Sequence, residues 1–454
     1  MSSKKFFDGF SEVSAKEWKQ KIQVDLKGAD YNETLVWESP EGIKVKPFYH
    51  ADDTISPTHT VASGWDIGQS IYAGNTVIAN KKAKAFLEKG AEALYIIVPS
   101  VDIKIAEVLA NIDLYKVKVY FEFRFLNLAY VKSVLEYAAN APENIYLNID
   151  PIGNLARTGN WFFNLEKDHG LLNGILDFKK GNIISVDTTL YQNAGANIVQ
   201  QLAYALAHAN EYLNYVSNKG KQRSLITFKV AVGTNYFFEI AKLRALRVLW
   251  NVLANEYGVV EDCHIVTIPT RRNKTLYDYN TNMLRTTAEC MSAILGGSDM
   301  VCNMPYDAIY HKNNEFGDRI ALNQLLLLKN ESYFDKVGNP ADGAYYIESL
   351  TNQLAQKALA LFKAIEQNGG FLKQLKEHTI QRKIQESAEK EQARFNTGEE
   401  VLVGTNRYQN ENDKMKDTIE LYPFLKTNAR KTLIQPILEK RLAEEVEQKR
   451  LDDE

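Results

Sequence analysis

Eight short apolar runs, each followed by a segment with helical periodicity, most strongly constrain the fold of this 454-residue chain. Strand residues alternate at period two or form short apolar runs, whereas apolar residues of an amphipathic helix recur every three to four positions. Repeated strand–helix units are typical of a parallel sheet with crossover helices. The strand-like runs are 65–72, 93–100, 118–125, 144–151, 182–189, 225–233, 263–270 and 299–304.

The segments between and after these runs have the spacing and the end signals of helices. In 235–256, apolar residues recur at helical spacing with charged residues between them. Glycine pairs at 296–297 and 369–370 predict helix ends, because glycine adopts the left-handed conformation at little cost. The predicted helices are 80–89, 103–110, 129–139, 192–215, 235–256, 278–295, 315–331, 350–367, 381–395 and 429–449.

The repeat number favours an α/β fold of the (β/α)8 TIM-barrel class, because eight strand–helix units close such a barrel. A doubly wound open sheet is the alternative. It is disfavoured because neither G-x-G-x-x-G nor G-x-x-x-x-G-K-[ST] occurs in the sequence.

The flanks of the barrel are predicted to be extensions. A capping-box pattern at Ser14 and Glu17 predicts a short helix in an N-terminal arm that wraps a partner. No second compact α/β domain is predicted after the barrel. The predicted divisions are the arm at 1–60, the barrel at 61–335 and a C-terminal helical extension or belt at 336–454.

Composition excludes several classes of partner and compartment. A net charge of −3 argues against nucleic acid or an anionic membrane as the main partner. No run approaches the length of a membrane span, and the first residues lack the apolar core of a signal peptide. Cys263, Cys290 and Cys302 show no metal-ligand spacing and are predicted to be buried thiols. We therefore expect a cytoplasmic protein.

Polar residues at the C-terminal ends of the predicted strands are the candidate site residues, since reacting groups of such barrels come from these ends. Arg124, Asp150 and Asp187 either form an ion-pair network that closes the barrel mouth or contact a ligand. Arg271, followed by Arg272, either binds a phosphate or carboxylate or is a solvated loop pair.

The histidines give no catalytic set. His264 lies within an apolar run and is predicted to be a satisfied core histidine, and His169 is predicted to lie in a loop. Neither a metal-ligand pair such as H-x-x-x-H nor a Ser/His/Asp or Cys/His set can be assembled from spacing.

Four stretches carry a specific pattern: DLKGADYNETLVWESPEGIKVKPFY (25–49), EIAKLRALRVLW (239–250), NMLRTTAECMSAILGG (282–297) and PADGAYYIESLT (340–351). They resemble the coenzyme A mutases of the methylmalonyl-CoA mutase family, and the resemblance runs from about residue 10 to residue 410. Catalytic members are adenosylcobalamin enzymes in which the acyl-CoA threads the barrel axis. The resemblance therefore implies radical isomerisation of an acyl-CoA, either by this chain or by a chain that it assembles with.

At the positions that match the family's substrate-holding residues, this chain departs from the pattern. The Arg-Gln-Tyr of the first strand appears as Gly68, Gln69 and Ser70, and the Tyr-His pair after the fifth strand appears as Thr189 and Leu190. The cobalt-ligating Asp-x-His-x-x-Gly does not occur in the chain. The departures imply no catalytic, cofactor-binding or metal-ligating residues here, and no cobalamin-binding domain.

Bulky residues in the third and fourth predicted strands also argue against an acyl-CoA passing through the barrel. Val119, Phe121 and Phe123, together with Tyr146 and its neighbours, leave little room for a threaded pantetheine whichever face points inward. The sequence therefore predicts a barrel whose interior is filled by side chains.

The losses resemble the small (beta) subunit of heterodimeric methylmalonyl-CoA mutases. This implies an isomerase complex in which a large catalytic subunit is the partner and carries the adenosylcobalamin, while this chain supports the heterodimer. One alternative is a split mutase, in which this barrel holds the acyl-CoA and a separate protein brings cobalamin. A second is a (β/α)8 enzyme acting on another anionic ligand through Arg124 and Arg271.

Overall fold

The computed structural model describes residues 9–53, 64–178, 180–218, 226–259, 263–426 and 429–454. Its centre is a closed barrel of eight parallel strands in the order β10-β3-β4-β5-β6-β7-β8-β9. A small antiparallel hairpin precedes the barrel. The hairpin strands are β1 (Trp37–Glu38) and β2 (Lys44–Val45); the barrel strands are β3 (Asp66–Tyr72), β4 (Ala93–Val98), β5 (Lys118–Phe123), β6 (Ile145–Ile149), β7 (Asn182–Asp187), β8 (Ile226–Val232), β9 (His264–Pro269) and β10 (Met300–Cys302).

All eight predicted strand runs contain a barrel strand, so the predicted (β/α)8 TIM barrel is confirmed. Helices surround the barrel and continue beyond it. They are α1 (Ala15–Asp25), α2 (Tyr31–Leu35), α3 (Thr76–Glu88), α4 (Ile105–Val108), α5 (Leu128–Tyr137), α6 (Pro151–Thr158), α7 (Leu165–Leu176), α8 (Thr189–Asn193), α9 (Ile198–Asn218), α10 (Tyr236–Glu256), α11 (Thr281–Leu295), α12 (Glu315–Asn330), α13 (Tyr345–Gln367), α14 (Phe371–Lys376), α15 (Thr379–Thr397) and α16 (Glu444–Asp453).

Strand side chains divide by parity between two cores. In β5, Val119, Phe121 and Phe123 face the helices and lie in the main hydrophobic core. Tyr120 belongs to a second, smaller cluster inside the barrel, with Tyr146 from β6. Successive residues of a strand point to opposite faces, so a single strand supplies both cores.

Two buried arginines of α10 join this helix to α13 and to residues next to the barrel strands β9 and β10. Arg244 of α10 contacts Asp342 at 2.5 Å and Glu348 of α13 at 2.7 Å. Arg247, one turn later, donates to the carbonyl oxygen of Cys263 and contacts Asp299 at 2.8 Å. The motifs that carry the family resemblance in 239–250 and 340–351 therefore meet in one buried ion-pair network.

The predicted helix ends agree with the structure at several points. Ser14 and Glu17 form the predicted capping box at the start of α1. The helices α11 and α13 end just before the glycine pairs 296–297 and 369–370, where Gly297 and Gly369 have positive φ angles.

Three helix predictions differ from the structure. The segment 192–215 is divided between α8 and α9, because Gly195 lies between them with a φ of +99°. His169 lies in α7 and not in a loop, because the Asn164 side chain caps this helix. In 429–449 only the part from Glu444 onward is helical.

The cause of the third difference is a set of tertiary hydrogen bonds. The backbone N–H of Ile437 donates to Ala156, that of Lys440 donates to Asn193, and that of Leu442 donates to Arg272. Backbone donors used in this way are not available to an i→i−4 helix ladder. The segment instead follows a non-helical path along α6, α8 and the residues after β9, to which it is hydrogen-bonded.

In the part of the chain that the structure describes, no helix is both long enough and apolar enough to cross a membrane.

Candidate functional site

Aromatic rings fill one level of the barrel axis. The rings of Tyr120 and Tyr146 stack at 4.2 Å between centroids, and Tyr146 stacks on His264 at 4.6 Å. The Tyr120 hydroxyl lies 3.0 Å from Nε2 of His264. Since β5 and β9 lie on opposite sides of the barrel, this contact crosses the axis. Burial chiefly raises the pKa of Tyr120 and lowers that of His264, so the phenol stays protonated and the imidazole neutral.

Side chains also occupy the positions where the resemblance expects an arginine and a tyrosine. A Cβ on Gly68 would lie 2.9 Å from Sδ of Met300, which therefore takes up that space. Ser70 is paired in register with Tyr95 on β4, and the Tyr95 hydroxyl donates to Glu122 at 2.7 Å. Of the residues from which a filled barrel was predicted, Tyr146 faces the axis, whereas the three residues of β5 face the helices.

A buried ion pair lies above the aromatic rings, toward the C-terminal ends of the strands. Lys229 Nζ contacts Glu122 Oε2 at 2.7 Å, and Arg124 contacts the other oxygen at 2.8 Å. Burial by itself would raise the pKa of Glu122, but Lys229, Arg124 and Arg157 together hold it well below the ordinary range. Burial opposes the charge on Lys229 too, yet Asp187 and Glu122 raise its pKa well above the ordinary value. Neither group therefore exchanges a proton near neutral pH.

A cavity of about 200 Å³ opens at this barrel mouth. Arg124, Asp150 and Asp187 all line it, so the structure brings together three of the four candidate residues. Lys229 and Arg157 line the same cavity. We call it the mouth cavity.

Asp150 organises one wall of the mouth cavity. Its Oδ1 accepts hydrogen bonds from His208 at 2.9 Å, from the Tyr212 hydroxyl at 2.6 Å and from the backbone of Gly153 at 2.8 Å. Its Oδ2 accepts from the backbone N–H of Asp187 at 3.1 Å. Burial would raise the pKa of Asp150, but these donors, led by His208, lower it below the ordinary value. Asp150 is thus a saturated acceptor.

Asp187 and its neighbours form the adjoining part of the cavity wall. Its carboxylate contacts Arg157 at 3.0 Å and Lys229 at 3.4 Å, and it accepts hydrogen bonds from the backbone and hydroxyl of Thr189. Leu190, the next residue, is buried in the main hydrophobic core. The two residues that match the family's Tyr-His pair are therefore a helix-start threonine and a core leucine.

The fourth candidate lies apart from the other three. The Arg271 side chain is exposed and does not line the mouth cavity; its backbone N–H donates to Asn193 at 3.0 Å. The prediction of a solvated pair of loop arginines is wrong for Arg272, which is buried. Its side chain contacts Glu391 at 2.5 Å and donates to the carbonyl of Lys440 at 2.7 Å. Side chains distant in sequence decide which of the two arginines is solvated.

Reasoning from the sequence did not identify Glu122 or Arg157 as residues of the mouth cavity. Lys118, Tyr120, Glu122 and Arg124 alternate with apolar residues, so they share the side of β5 that faces the barrel axis, and this alternation would have identified Glu122. Arg157 stands in the last turn of α6 and carries no strand-end signal.

Among the described residues that line the mouth cavity, none is a histidine that could ligate the cobalt of a cobalamin. Among the described residues, no group of three or more His, Cys, Asp or Glu side chains is placed to hold a metal ion. Both ring nitrogens of the buried His208 are engaged, one with Asp150 and the other with the Tyr191 hydroxyl at 2.9 Å.

Comparisons with known proteins agree with the motifs. A family model described as methylmalonyl-CoA mutase matches residues 104–452. A methylmalonyl-CoA mutase small subunit from Porphyromonas gingivalis is 33% identical, with 92% of this chain and 73% of that protein covered. A protein of the same name from Streptomyces virginiae is 27% identical, covering 88% and 71%. A methylmalonyl-CoA mutase from Rhizobium meliloti is 28% identical, covering 90% and 66%. The chain therefore spans 66–73% of the length of these relatives.

Proposed function

The chain belongs to the methylmalonyl-CoA mutase family, and we propose that it is the small, non-catalytic subunit of an adenosylcobalamin-dependent methylmalonyl-CoA mutase. The isomerisation of methylmalonyl-CoA and succinyl-CoA would take place on a large partner subunit. This chain would support that subunit as one half of a heterodimer, and would be inactive alone.

The occupied barrel axis is the observation that carries the proposal. Tyr120, Tyr146 and His264 stack across it, and Met300 occupies the space above Gly68. A threaded pantetheine would have to displace these rings. Since closely packed interiors resist such rearrangement, the barrel is not built to admit an acyl-CoA tail.

The chemistry of the replaced residues supports the same conclusion. Leu190 has no group that donates to a thioester carbonyl, and loss of one such donor costs about 10²–10³ in rate. Ser70 carries no phenol to hold the acyl group. The nearest charged pair, Glu122 with Lys229, keeps its charges near neutral pH and supplies no acid or base.

We assign the mouth residues Arg124, Asp150 and Asp187 to a structural network, since each has partners within the chain. Arg124 is only half-buried and keeps an exposed edge toward the mouth cavity. A residual anion contact at Arg124, or at the exposed Arg271, is the minor alternative. It belongs to the alternative of a (β/α)8 enzyme acting on another anionic ligand through Arg124 and Arg271, of which only Arg124 lines the mouth cavity.

The partner interface is proposed from the flanks of the barrel. We divide the chain into an arm at 1–60, the barrel at 61–335 and a belt at 336–454. The helix α1 of the arm has no buried residue, although Trp18 and Val24 on it are large and apolar. Such a helix gains little from its own chain, so we assign its apolar side chains to the partner subunit. Adenosylcobalamin would be bound by that subunit, in the cytoplasm.

A turnover assay tests the proposal. Methylmalonyl-CoA and adenosylcobalamin are supplied to this chain alone, to the large partner alone and to the co-purified pair. We expect turnover only where the large partner is present, and no cobalamin absorbance spectrum or CoA-ester binding on this chain. Turnover that survives removal of the large partner's active-site tyrosine would place catalysis on this barrel. CoA-ester binding by this chain alone would instead support the split mutase.

A further inference from the structure

A second and larger cavity lies outside the barrel mouth. Its volume is about 570 Å³, within the range of about 300–1,000 Å³ typical of small-molecule sites. It is enclosed by the loop after β1, the residues that follow β8 and β9, and one face of α15. None of its lining residues lines the mouth cavity. We call it the α15 chamber.

One buried carboxylate in the α15 chamber is short of donors. Glu41 Oε1 is 3.5 Å from the backbone nitrogen of Ile198, at the limit of a hydrogen bond. Glu41 Oε2 is inaccessible to solvent and has no hydrogen-bond partner among the described residues. Burial raises the pKa of Glu41, against the hydrogen bonds of Ser39 and of the backbone at Glu41 and Ile198, which lower it; the nearby Glu239 adds a smaller increase. A buried acceptor without a donor costs about 1–3 kcal/mol unless something else supplies one.

Most of the other carboxylates of the chamber are paired with basic side chains. Glu239 contacts Lys242 at 2.5 Å, Glu386 contacts Lys383 at 2.7 Å, Glu391 contacts Arg272 at 2.5 Å and Glu400 contacts Arg394 at 3.5 Å. Glu400 has a raised pKa, first through burial and then, against Arg394, through the charges of Glu391, Glu399 and Glu41. Acidic side chains outnumber basic ones along the lining. The acids are Glu41, Glu239, Glu386, Glu391, Glu399 and Glu400, and the bases are Arg272, Lys383, Lys390 and Arg394.

The spacing of these carboxylates decides against an inorganic ion. Calcium takes six to eight oxygen ligands, and magnesium requires near-octahedral coordination. Among the described residues, no three acidic, histidine or cysteine side chains converge closely enough to hold a metal ion. The negative charges therefore face one chamber without meeting at one point, which suits an extended cation.

Trp37 gives the chamber an aromatic component. Its half-exposed indole lines the chamber and packs edge-on against Phe238 at 5.8 Å between centroids. The face of an indole attracts organic ammonium groups, and a neighbouring carboxylate adds to the attraction. Trp37 and Glu41 stand on the same hairpin, four residues apart.

We propose that the α15 chamber binds a small organic cation of the diamine class, with one ammonium group at Glu41 and Trp37 and the other near Glu400. The first ammonium group brings the donor that Glu41 Oε2 lacks. The second adds positive charge at Glu400, where the charges of Glu391, Glu399 and Glu41 oppose that of Arg394. The chamber is lined in part by the arm and the belt. The inference does not rest on the proposed subunit role, because its test uses this chain alone and needs no turnover.

Isothermal titration calorimetry on the full chain tests the proposal, with 1,4-diaminobutane as the probe. Sodium chloride, magnesium chloride and succinate at matched ionic strength are the comparison titrants. We expect saturable binding of the diamine alone. Glu41→Gln should weaken it at least tenfold, whereas Glu38→Gln, an equal charge change on the same hairpin outside the chamber, should not. Glu400→Gln should weaken binding also, and thermal unfolding of each variant verifies that it is folded.

Every other outcome overturns the inference. Absence of saturable diamine binding to the folded wild-type chain excludes the ligand class. Equal binding by wild type and both chamber variants places the diamine elsewhere. Binding of magnesium that Glu41→Gln abolishes would make the chamber a metal site. Binding of succinate would show that Arg272 and Lys390, and not the carboxylates, dominate it.

Discussion

At the residue scale, the inside of the barrel is governed by charges whose partners come from different strands. Glu122 of β5 is held by Lys229 of β8 and by Arg124, just beyond its own strand. The pair is largely buried, and its Coulomb energy compensates for lost hydration only while both charges are present. Single substitutions inside the barrel should therefore have large effects on stability.

Glu122→Gln should destabilise the chain by about 3–5 kcal/mol at pH 7, because it leaves Lys229 buried with only the longer contact to Asp187. The pKa of Glu122 is lowered in the folded state, so its contribution is fully present above its unfolded pKa of about 4.3 and is lost as the pH falls through the folded pKa. Urea unfolding at a series of pH values measures the free energy of unfolding of both chains. The difference in this free energy between wild type and variant should narrow below about pH 5.

A gap that stays constant down to pH 3 would contradict the ion-pair account. Glu107→Gln is the matched control, since Glu107 is exposed and its contact with Lys104 is a surface pair. It should leave the urea midpoint unchanged at every pH.

Restoring the family residues at Gly68, Ser70, Thr189 and Leu190 should not create a mutase. Arginine at 68 would collide with Met300, and histidine at 190 would place an imidazole in the hydrophobic core. We expect the quadruple variant to be less stable than wild type and to show no turnover with methylmalonyl-CoA and adenosylcobalamin. Turnover by the folded variant alone would mean that the filled axis does not exclude the substrate.

At the element scale, α15 packs closely against the loop between α8 and α9. A Cβ on Gly195 would lie 2.5 Å from Cβ of Ala388 on α15, and Gly195 has a φ of +99°. Both a strained backbone and a steric overlap therefore oppose any larger residue here. The close approach brings the chamber-facing side of α15 against the barrel.

Gly195→Ala should destabilise the chain by about 2–4 kcal/mol, from the positive φ and the overlap together. Gly170→Ala in α7 is the control, because a Cβ added there would meet nothing within 4 Å and the φ of Gly170 is not positive. Alanine is the better helix former, so this control should be neutral or stabilising by about 1 kcal/mol. Thermal unfolding of both variants measures the two changes in stability. Similar losses of stability in the two variants would show that α15 moves freely away from Gly195.

At the scale of the whole molecule, the arm and the barrel differ in how they are held. The barrel strands are hydrogen-bonded into a closed sheet, whereas α1 contributes no buried residue. The stability of the chain and its association with a partner should therefore respond to different substitutions.

Val24→Asp on α1 should leave thermal unfolding of the isolated chain unchanged, because Val24 is 73% exposed. It should weaken association with the large partner subunit at least about tenfold if the arm lies in the interface. Analytical ultracentrifugation of mixtures measures the affinity. Val252→Asp, at an exposed position of α10, is the control and should bind as wild type does; equal affinities for all three chains would remove the arm from the proposed interface.

By itself, the sequence determined the barrel and the family. Alternation and helical spacing are local, and eight strand–helix units leave few ways to bury their apolar faces, so every predicted strand run contains a strand. The replacements at Ser70 and Leu190 can likewise be identified from the sequence, because a replacement is a matter of residue identity alone.

Only the tertiary structure decided which polar residues meet. The segment 429–441 is not helical because its backbone bonds to distant elements, and Arg272, not Arg271, is buried because Glu391 and Lys440 lie against it. The Glu122–Lys229 pair and the α15 chamber likewise depend on side chains far apart in the chain. Periodicity shows which face of an element is apolar, but charges are paired across space, and closure of the barrel sets those distances.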